Sequence, residues 1–411
     1  MKYELKCVTC GQMVAPTKQA ATCPSCGPLK GTLDVTYPLE TLKDKFQGSL
    51  ANFVGCDVYR AFDDILPYDD PVNLPPLAFG RTPLFQPPRL ANKFGNGLYL
   101  KDDGRNPSAS FKDRASAVAI AMARESGANT IACASTGNAA SSLATLAAAL
   151  GMRTVVFIPK DAPEPKLTQI LIHGAAAIRL DCDYDRAFDL CQEACEQFGW
   201  YNRNTAVNPF TGEGKKSAAI EIAVALGEAP DVVVCPVGDG CIIGGLHKGF
   251  SDLLGLGLIR KMPRLYGIQA AGAAPLVKAF ENGGDVKPYE ITHTVADSIS
   301  VGCPRDGVKA LRAVRNTYGA MVAVSDREIL AAQRTLASAA GVFAEPAASA
   351  AYAGLLRLIE NDSIQREETA VVVLTGHGLK DIETARNNII TDIEITRPDI
   401  DSVTRRAAKL I

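Results

Sequence analysis

The chain has 411 residues, of which 47% are hydrophobic and 21% charged, and its formal net charge is −2. Such a length holds two or three domains, and the composition is that of an ordinary globular enzyme. A chain so close to neutral offers no electrostatic case for nucleic acid or an anionic membrane, and no apolar run reaches the roughly 18–20 residues of a membrane span.

The opening residues Met1-Lys2-Tyr3-Glu4-Leu5-Lys6 lack the apolar core of an export signal, so the expected compartment is the cytoplasm. There, twelve cysteines are expected to be thiols or metal ligands rather than a disulfide framework. Cys7-x2-Cys10 and Cys23-x2-Cys26 form two knuckles separated by twelve residues. Two tight turns that each present two thiolates make a closed tetrahedral zinc site, with no position left open for water. A structural zinc ribbon over residues 1–36 is expected; a metal-free ribbon or a redox pair is the alternative. Residues 37–90 read as an arm wrapping the main body, with seven prolines between Pro67 and Pro88.

From about residue 97 the pattern is strand, turn, helix, repeated. Strands are expected at 130–134, 154–159, 176–180, 232–237, 265–269 and 370–374, with helices at 139–150, 184–198 and 242–254. This alternation predicts an α/β protein with open, mostly parallel sheets, in which ligands bind beyond the carboxyl ends of the strands.

Four turns at such ends carry candidate chemistry. In Arg105-Asn106-Pro107-Ser108-Ala109-Ser110-Phe111-Lys112-Asp113-Arg114, Asn106-Pro107 starts the turn, Ser110 is the expected N-cap, and Lys112 falls in the first helical turn. A helix N-terminus disfavours a cation, which nudges this lysine toward the neutral amine that attacks carbonyls. Ser135-Thr136-Gly137-Asn138 opens the next helix with an amide and free N–H groups. In Gly238-Asp239-Gly240-Cys241-Ile242 the glycines let backbone amides close around a phosphate. The G-x-G-x-x-x-G spacing, and a following strand without a terminal acid, argue against a dinucleotide. Finally, Leu374-Thr375-Gly376-His377-Gly378-Leu379-Lys380-Asp381 delivers a lone hydroxyl, Thr375, into a glycine-rich turn.

An amine, an amide, a phosphate cup and a hydroxyl are what pyridoxal 5′-phosphate requires. Over residues 75–390 the chain resembles the threonine synthase family of pyridoxal-phosphate enzymes, with the tryptophan-synthase-β type of fold (fold type II). Residues 106–114 are similar to the family's N-P-T-x-S-F-K-D-R, residues 135–138 to its S-T-G-N loop, residues 236–240 to its phosphate cup, and residues 374–381 to the segment that brings threonine to the pyridine nitrogen. The resemblance implies two open sheets with the cofactor in the cleft between them. The expected division is the ribbon at 1–36, a large domain at 37–127 and 205–411, and a small α/β domain at 128–204. Lys112 is then the Schiff-base lysine and the general acid and base. Asn138 faces the 3′-oxygen, residues Gly238, Asp239, Gly240, Cys241 and Ile242 hold the phosphate, and Thr375 meets the ring nitrogen. Ser110, Ser135, Thr136 and Asn138 are the expected substrate contacts, and Cys7, Cys10, Cys23 and Cys26 the zinc ligands. Glu345-Pro346-Ala347 and His377 stand as further candidates beside the ring, while Cys133, Cys235 and Cys303 are read as core thiols. A homodimer is usual for this fold.

The expected reaction is the conversion of O-phosphohomoserine and water to threonine and phosphate. One departure bears on it. The family's N-P-x-R-x-E-G-Q-K-T segment carries an arginine for the substrate phosphate. Here Asn208-Pro209-Phe210-Thr211-Gly212-Glu213-Gly214-Lys215-Lys216-Ser217 has Thr211 at that position. Lys215, Lys216, Arg105, Arg114 and Arg305 are the possible replacements. The segment of residues 296–305 also lacks the arginine of the family's A-T-A-I-R-I-G-x-P. The alternatives are a cysteate-synthase-like replacement on O-phosphoserine with sulfite, a serine/threonine dehydratase-like eliminase, and, from another class, a ligand-sensing regulator built on a retired enzyme body.

Overall fold

The computed structural model describes residues 1–411 apart from 96, 136, 161–163, 390–394 and 409–411. Its strands, in chain order, are β1 (Glu4–Cys7), β2 (Met13–Val14), β3 (Leu33–Thr36), β4 (Leu84–Phe85), β5 (Leu98–Asp102), β6 (Thr130–Ala134), β7 (Arg153–Pro159), β8 (Ala176–Leu180), β9 (Tyr201–Asn202), β10 (Val232–Pro236), β11 (Arg264–Ala270), β12 (Ala320–Val324) and β13 (Ala370–Leu374). They form a three-stranded antiparallel ribbon, a six-stranded sheet in the order β12-β11-β10-β13-β5-β4, and a four-stranded sheet in the order β8-β7-β6-β9. Only β4 runs antiparallel in the large sheet, and the small sheet is parallel throughout. Among the described residues no helix is long and apolar enough to cross a membrane.

The helices that carry or back the site are α1 (Lys112–Glu125), α2 (Asn138–Ala148), α3 (Phe210–Leu226), α4 (Cys241–Gly255), α5 (Gly307–Asn316) and α6 (Pro346–Glu360). Apolar runs without alternation make the central strands: Val232-Val233-Val234-Cys235 of β10 and Val371-Val372-Val373-Leu374 of β13 are entirely buried, as a parallel sheet covered on both faces demands. Strand β13, last in the chain, inserts between β10 and β5. The strand order reverses there, and a crevice opens at the carboxyl ends.

Close helix contact fixes the frame. A side chain at Gly214 of α3 would lie 2.0 Å from the Arg114 carbonyl of α1, and one at Gly249 of α4 would lie 2.5 Å from the Lys216 carbonyl of α3. Beneath the Lys112 turn is a sealed ionic cluster. Arg114, fully buried, donates to Asp103 at 2.6 Å and to Glu221 at 2.7 Å, and Lys101 reaches the same Glu221 at 2.6 Å. Burial alone would raise the Glu221 carboxyl, but Arg114 and Lys101 outweigh it and hold the group at about 2.

Three details differ from the sequence expectation. Phe111, not Ser110, occupies the cap of α1: Ser110 is tied into a bridge with Gly376, and its carbonyl rather than its hydroxyl accepts the Asp113 N–H. Strands β9 and β12 were not expected, the first because it is two residues long and the second because only Met321 and Val324 are buried, a spacing without strand alternation. Cys303 is half-buried rather than a core thiol, whereas Cys133 and Cys235 are fully enclosed.

Candidate active site

The crevice at the strand ends holds a pocket. Its wall includes Phe111, Lys112, Asn138, Ser298, Glu345 and Thr375, together with the backbone of residues 236–242. Each comes from a strand-to-helix turn or a loop pressed onto one. Lys112 is the first residue of α1, and Asn138 is the first of α2. The Lys112 turn is bound to the β13 turn: the Phe111 N–H donates to the Thr375 carbonyl at 2.8 Å and the His377 N–H to the Ala109 carbonyl at 3.1 Å. The amine and the hydroxyl therefore share one rigid backbone pair.

The turn after β10 is the part of the wall built from backbone. Gly240 adopts φ +94° and starts α4, and a side chain there would lie 2.7 Å from the Asp306 carbonyl and 2.8 Å from the Ala310 β-carbon. Only glycine fits that backbone in that space. The Gly244 N–H is bonded to the Gly240 carbonyl, so the N–H groups before it have no partner within the helix and face the cavity end. The loop of residues 297–301 closes over Gly238, where a side chain would lie 3.1 Å from the Ile299 α-carbon. The Asp239 carboxylate accepts the Arg305 N–H at 3.2 Å, and burial pushes its carboxyl up. Gly244 and Gly245 are not part of the cup. They let α4 sit against Lys309 and Lys215.

Across the cavity the Asn138 amide donates to both carboxylate oxygens of Glu345, at 3.0 and 3.1 Å, and approaches the Ser298 hydroxyl at 3.4 Å. Glu345 and Ser298 are thus central to the site. From sequence Glu345 has only a secondary place and Ser298 none, because both sit in loops without a motif. Thr375 closes the opposite wall, and among the described residues no hydrogen bond occupies its hydroxyl.

The cavity brings together Lys112, Asn138, Gly238, Asp239, Gly240, Cys241, Ile242 and Thr375. Ser110 and Ser135 do not line it. Ser110 is fully buried with its hydroxyl 3.3 Å from that of Ser108, and the Ser135 hydroxyl accepts the Gly137 N–H at 3.2 Å. Thr136 lies outside the described residues. His377 turns its Nδ1 to the Leu379 N–H and packs on Phe343, away from the cavity wall. His173 is exposed beside the end of its helix, and His293 is largely exposed.

The donor set fits pyridoxal phosphate: an amine for an aldehyde, a row of unspent N–H groups at a glycine-started helix for a phosphate, and an unpartnered hydroxyl for a ring nitrogen. The four ribbon thiols also fit a metal. Their sulfurs lie within 4.8 Å of one another, and the Cys10–Cys23 separation of 3.7 Å is close to the edge of a tetrahedron with zinc–sulfur bonds of about 2.3 Å.

A profile of the pyridoxal-phosphate dependent enzymes matches residues 76–376. Threonine synthase from Methanosarcina acetivorans is 39% identical over 93% of this chain and 93% of its own, and that from Methanocaldococcus jannaschii is 37% identical over 92% and 93%. The chain belongs to the threonine synthase family of pyridoxal-phosphate-dependent enzymes. The Mycobacterium tuberculosis threonine synthase is 40% identical over 80% of this chain and 89% of its own. Solved structures share the fold at lower identity. Diaminopropionate ammonia lyase from Escherichia coli superposes with TM-score 0.65 at 20% identity over 86% of this chain and 94% of its own, and threonine deaminase isoform 2 from Solanum lycopersicum with 0.64 at 21% over 75% and 86%.

For a threonine synthase family member, the location of positive charge matters, and the structure sorts the five cations near Thr211 in sequence or space. Arg105 is exposed beside Asp102, Arg114 is sealed in the Asp103–Glu221 cluster, and Arg305 pairs with Asp185 at 2.6 Å. Lys216 is held by Glu213 and Asp252 at 2.6 and 2.8 Å. Lys215 alone among these five has no carboxylate partner. Its ammonium meets the Thr211 carbonyl at 3.2 Å, and burial pulls it down to about 7.

Proposed function

We propose that this protein is a threonine synthase that converts O-phosphohomoserine and water to threonine and inorganic phosphate. The observation that carries this reading is the single cavity in which the Lys112 amine, the backbone of residues 238–242 and the Thr375 hydroxyl converge. It is supported by identities of 37–40% to threonine synthases over most of the chain.

Pyridoxal phosphate, when bound, supplies the electron sink that lets protons leave carbons near an amino group. Lys112 is the residue that would hold its aldehyde, and its amine is the group placed to move protons at the substrate's Cα, Cβ and Cγ as general acid and base. The N–H groups of Gly238, Asp239, Gly240, Cys241 and Ile242 hold the phosphate. Thr375 would offer the ring nitrogen a neutral hydroxyl, a partner that suits elimination and replacement rather than transamination. Asn138 orients the ring oxygen or the substrate carboxylate, and its bond to Glu345 sets its position in advance. The cysteines Cys7, Cys10, Cys23 and Cys26 hold a structural zinc ion. The ribbon spans residues 1–36, and the two α/β bodies divide at about 127 and 204. We take the protein to be a cytoplasmic homodimer acting on a small phosphorylated amino acid, without nucleic-acid or membrane partners.

The test is to supply the purified protein with O-phosphohomoserine and to measure threonine and phosphate, which should appear in equal amounts. Cysteate from O-phosphoserine and sulfite, or a keto acid with ammonia from serine or threonine, in place of threonine would overturn the assignment.

A further inference from the structure

A second, wider cleft opens beside the cavity and shares Asn138, Ser298, Glu345 and Ala347 with it. Its wall also includes Gln169 and Lys380. Lys380 follows Thr375 in the turn after β13, and its ammonium donates to the Ser141 hydroxyl at 3.0 Å and to the Gln169 side-chain carbonyl at 3.1 Å. Both acceptors belong to helices of the small sheet, Ser141 to the first turn of α2 and Gln169 to the helix Glu164–Leu171.

The backbone that carries Lys380 is pinned on both sides. The His377 N–H donates to the Ala109 carbonyl at 3.1 Å, the Gly378 N–H to the Phe343 carbonyl at 2.7 Å, and the Lys380 N–H to the His377 carbonyl at 3.1 Å. Farther along, the buried Asn388 amide donates to the Leu330 carbonyl at 2.9 Å and to the Gln333 side chain at 3.0 Å. Ser141 lies one helical turn after Asn138, on the same side of α2. The Lys380 bonds therefore tie the turn that carries Thr375 to the turn that carries Asn138.

Asn138 has a second tie, to Glu345, but a ligand competes for that one. Its amide has two N–H donors, already claimed by the two Glu345 oxygens and the Ser298 hydroxyl. A ligand oxygen that takes an Asn138 N–H must displace one of these. The Lys380 bonds end on Ser141 and Gln169, which are not part of the cavity wall, so they survive that exchange. Donated by an ammonium, they are also stronger than bonds between neutral groups.

We propose that Lys380 is a positioning residue, which holds Asn138 in register with Thr375 across the cavity while the Asn138 amide is engaged by a ligand. The inference rests on the reading of this cavity as the site of the cofactor ring.

The experiment uses the cofactor-loaded protein and the variant Lys380→Met, which keeps the length of the side chain and removes its charge and its donors. Two quantities are read: the visible circular-dichroism band of the bound cofactor, which reports how firmly the ring is oriented, and kcat with KM for O-phosphohomoserine. The band should weaken, and kcat should fall about ten- to a hundredfold with KM little changed. Ser141→Ala combined with Gln169→Ala removes the same bonds from the other side and should give the same losses. Adding Lys380→Met to that pair should cost no further activity. An unchanged band, a kcat within about twofold of the wild-type value, or losses that multiply in the triple variant would overturn the inference, the last because Lys380 would then act on the ligand itself. If the methionine variant does not fold, the Ser141 and Gln169 pair carries the same test with Lys380 in place. The band needs no turnover, so its weakening in a protein that makes no threonine would support this inference while removing the assigned reaction.

Discussion

Asn138 and Glu345 face each other across the cavity, the amide of one bonded to both carboxylate oxygens of the other. One sits at the end of the small sheet and the other ahead of α6 on the large one, so the bond links the elements of the two sheets. The Glu345 carboxylate also lies over Gly376, where a side chain would come within 2.3 Å of it. Gly376→Ala should therefore leave the fold intact, because the atom to be displaced ends a flexible side chain. Catalysis should fall about ten- to a hundredfold as Asn138 loses its fixed partner. Melting temperature and kcat/KM, measured together, check this.

Lys112→Ala should abolish threonine formation. Lys112 begins α1 and enters no ion pair among the described residues, so stability should change by no more than about 1 kcal/mol. Borohydride reduction of the wild-type protein followed by mass spectrometry should find the cofactor label on Lys112, and none on the variant.

The cluster under the Lys112 turn predicts an acid limit. With Glu221 held at about 2 against an ordinary value of 4.5, its contribution is complete above pH 4.5 and is lost as pH falls toward 2. Glu221→Gln should cost about 3–5 kcal/mol at neutral pH, since Arg114 and Lys101 lose a buried partner. Denaturant midpoints of the two proteins should converge as pH is lowered through this window.

The ribbon is connected to the cup. Strand β3 offers its Leu33 carbonyl to Lys309 at 2.7 Å and its Asp34 carboxylate to Arg312 at 2.7 Å, both on α5. Just before α5, the Asp306 N–H donates to the Asp239 carbonyl at 2.9 Å, and the Asp306 carbonyl bears on Gly240. Removing the metal with a chelator should loosen β3 and weaken cofactor binding several-fold without unfolding the main body. Metal analysis should give about one zinc per chain, and a cofactor titration before and after chelation would reveal the coupling. Unchanged affinity would mean that the ribbon and the cup are independent.

The sequence alone determined much of this protein, because local chemistry sets local structure. Apolar runs bounded by glycine and polar turns gave β6, β8 and β13 to the residue, and the cysteine spacing placed four thiols together without any tertiary information. Lys112, Asn138, the residues of the cup and Thr375 were legible for the same reason, since each sits on a strand-to-helix turn whose residue types announce it. Glu345 and Ser298 were not legible as site residues, because loops carry no periodicity and their place depends on which strand ends meet.

Only the tertiary structure decided which charges are spent. Lys215 and Lys216 are neighbours of the same type in sequence. The turn of α3 points one at Glu213 and Asp252 and leaves the other on the Thr211 carbonyl without an ion pair. Arg114 looks like part of the lysine motif, yet folding buries it against Asp103 and Glu221, where it locks the turn instead of meeting a ligand. A sequence states how many charges there are, but pairing depends on distances of a few ångströms between segments a hundred residues apart, and those distances exist only after the sheets have closed.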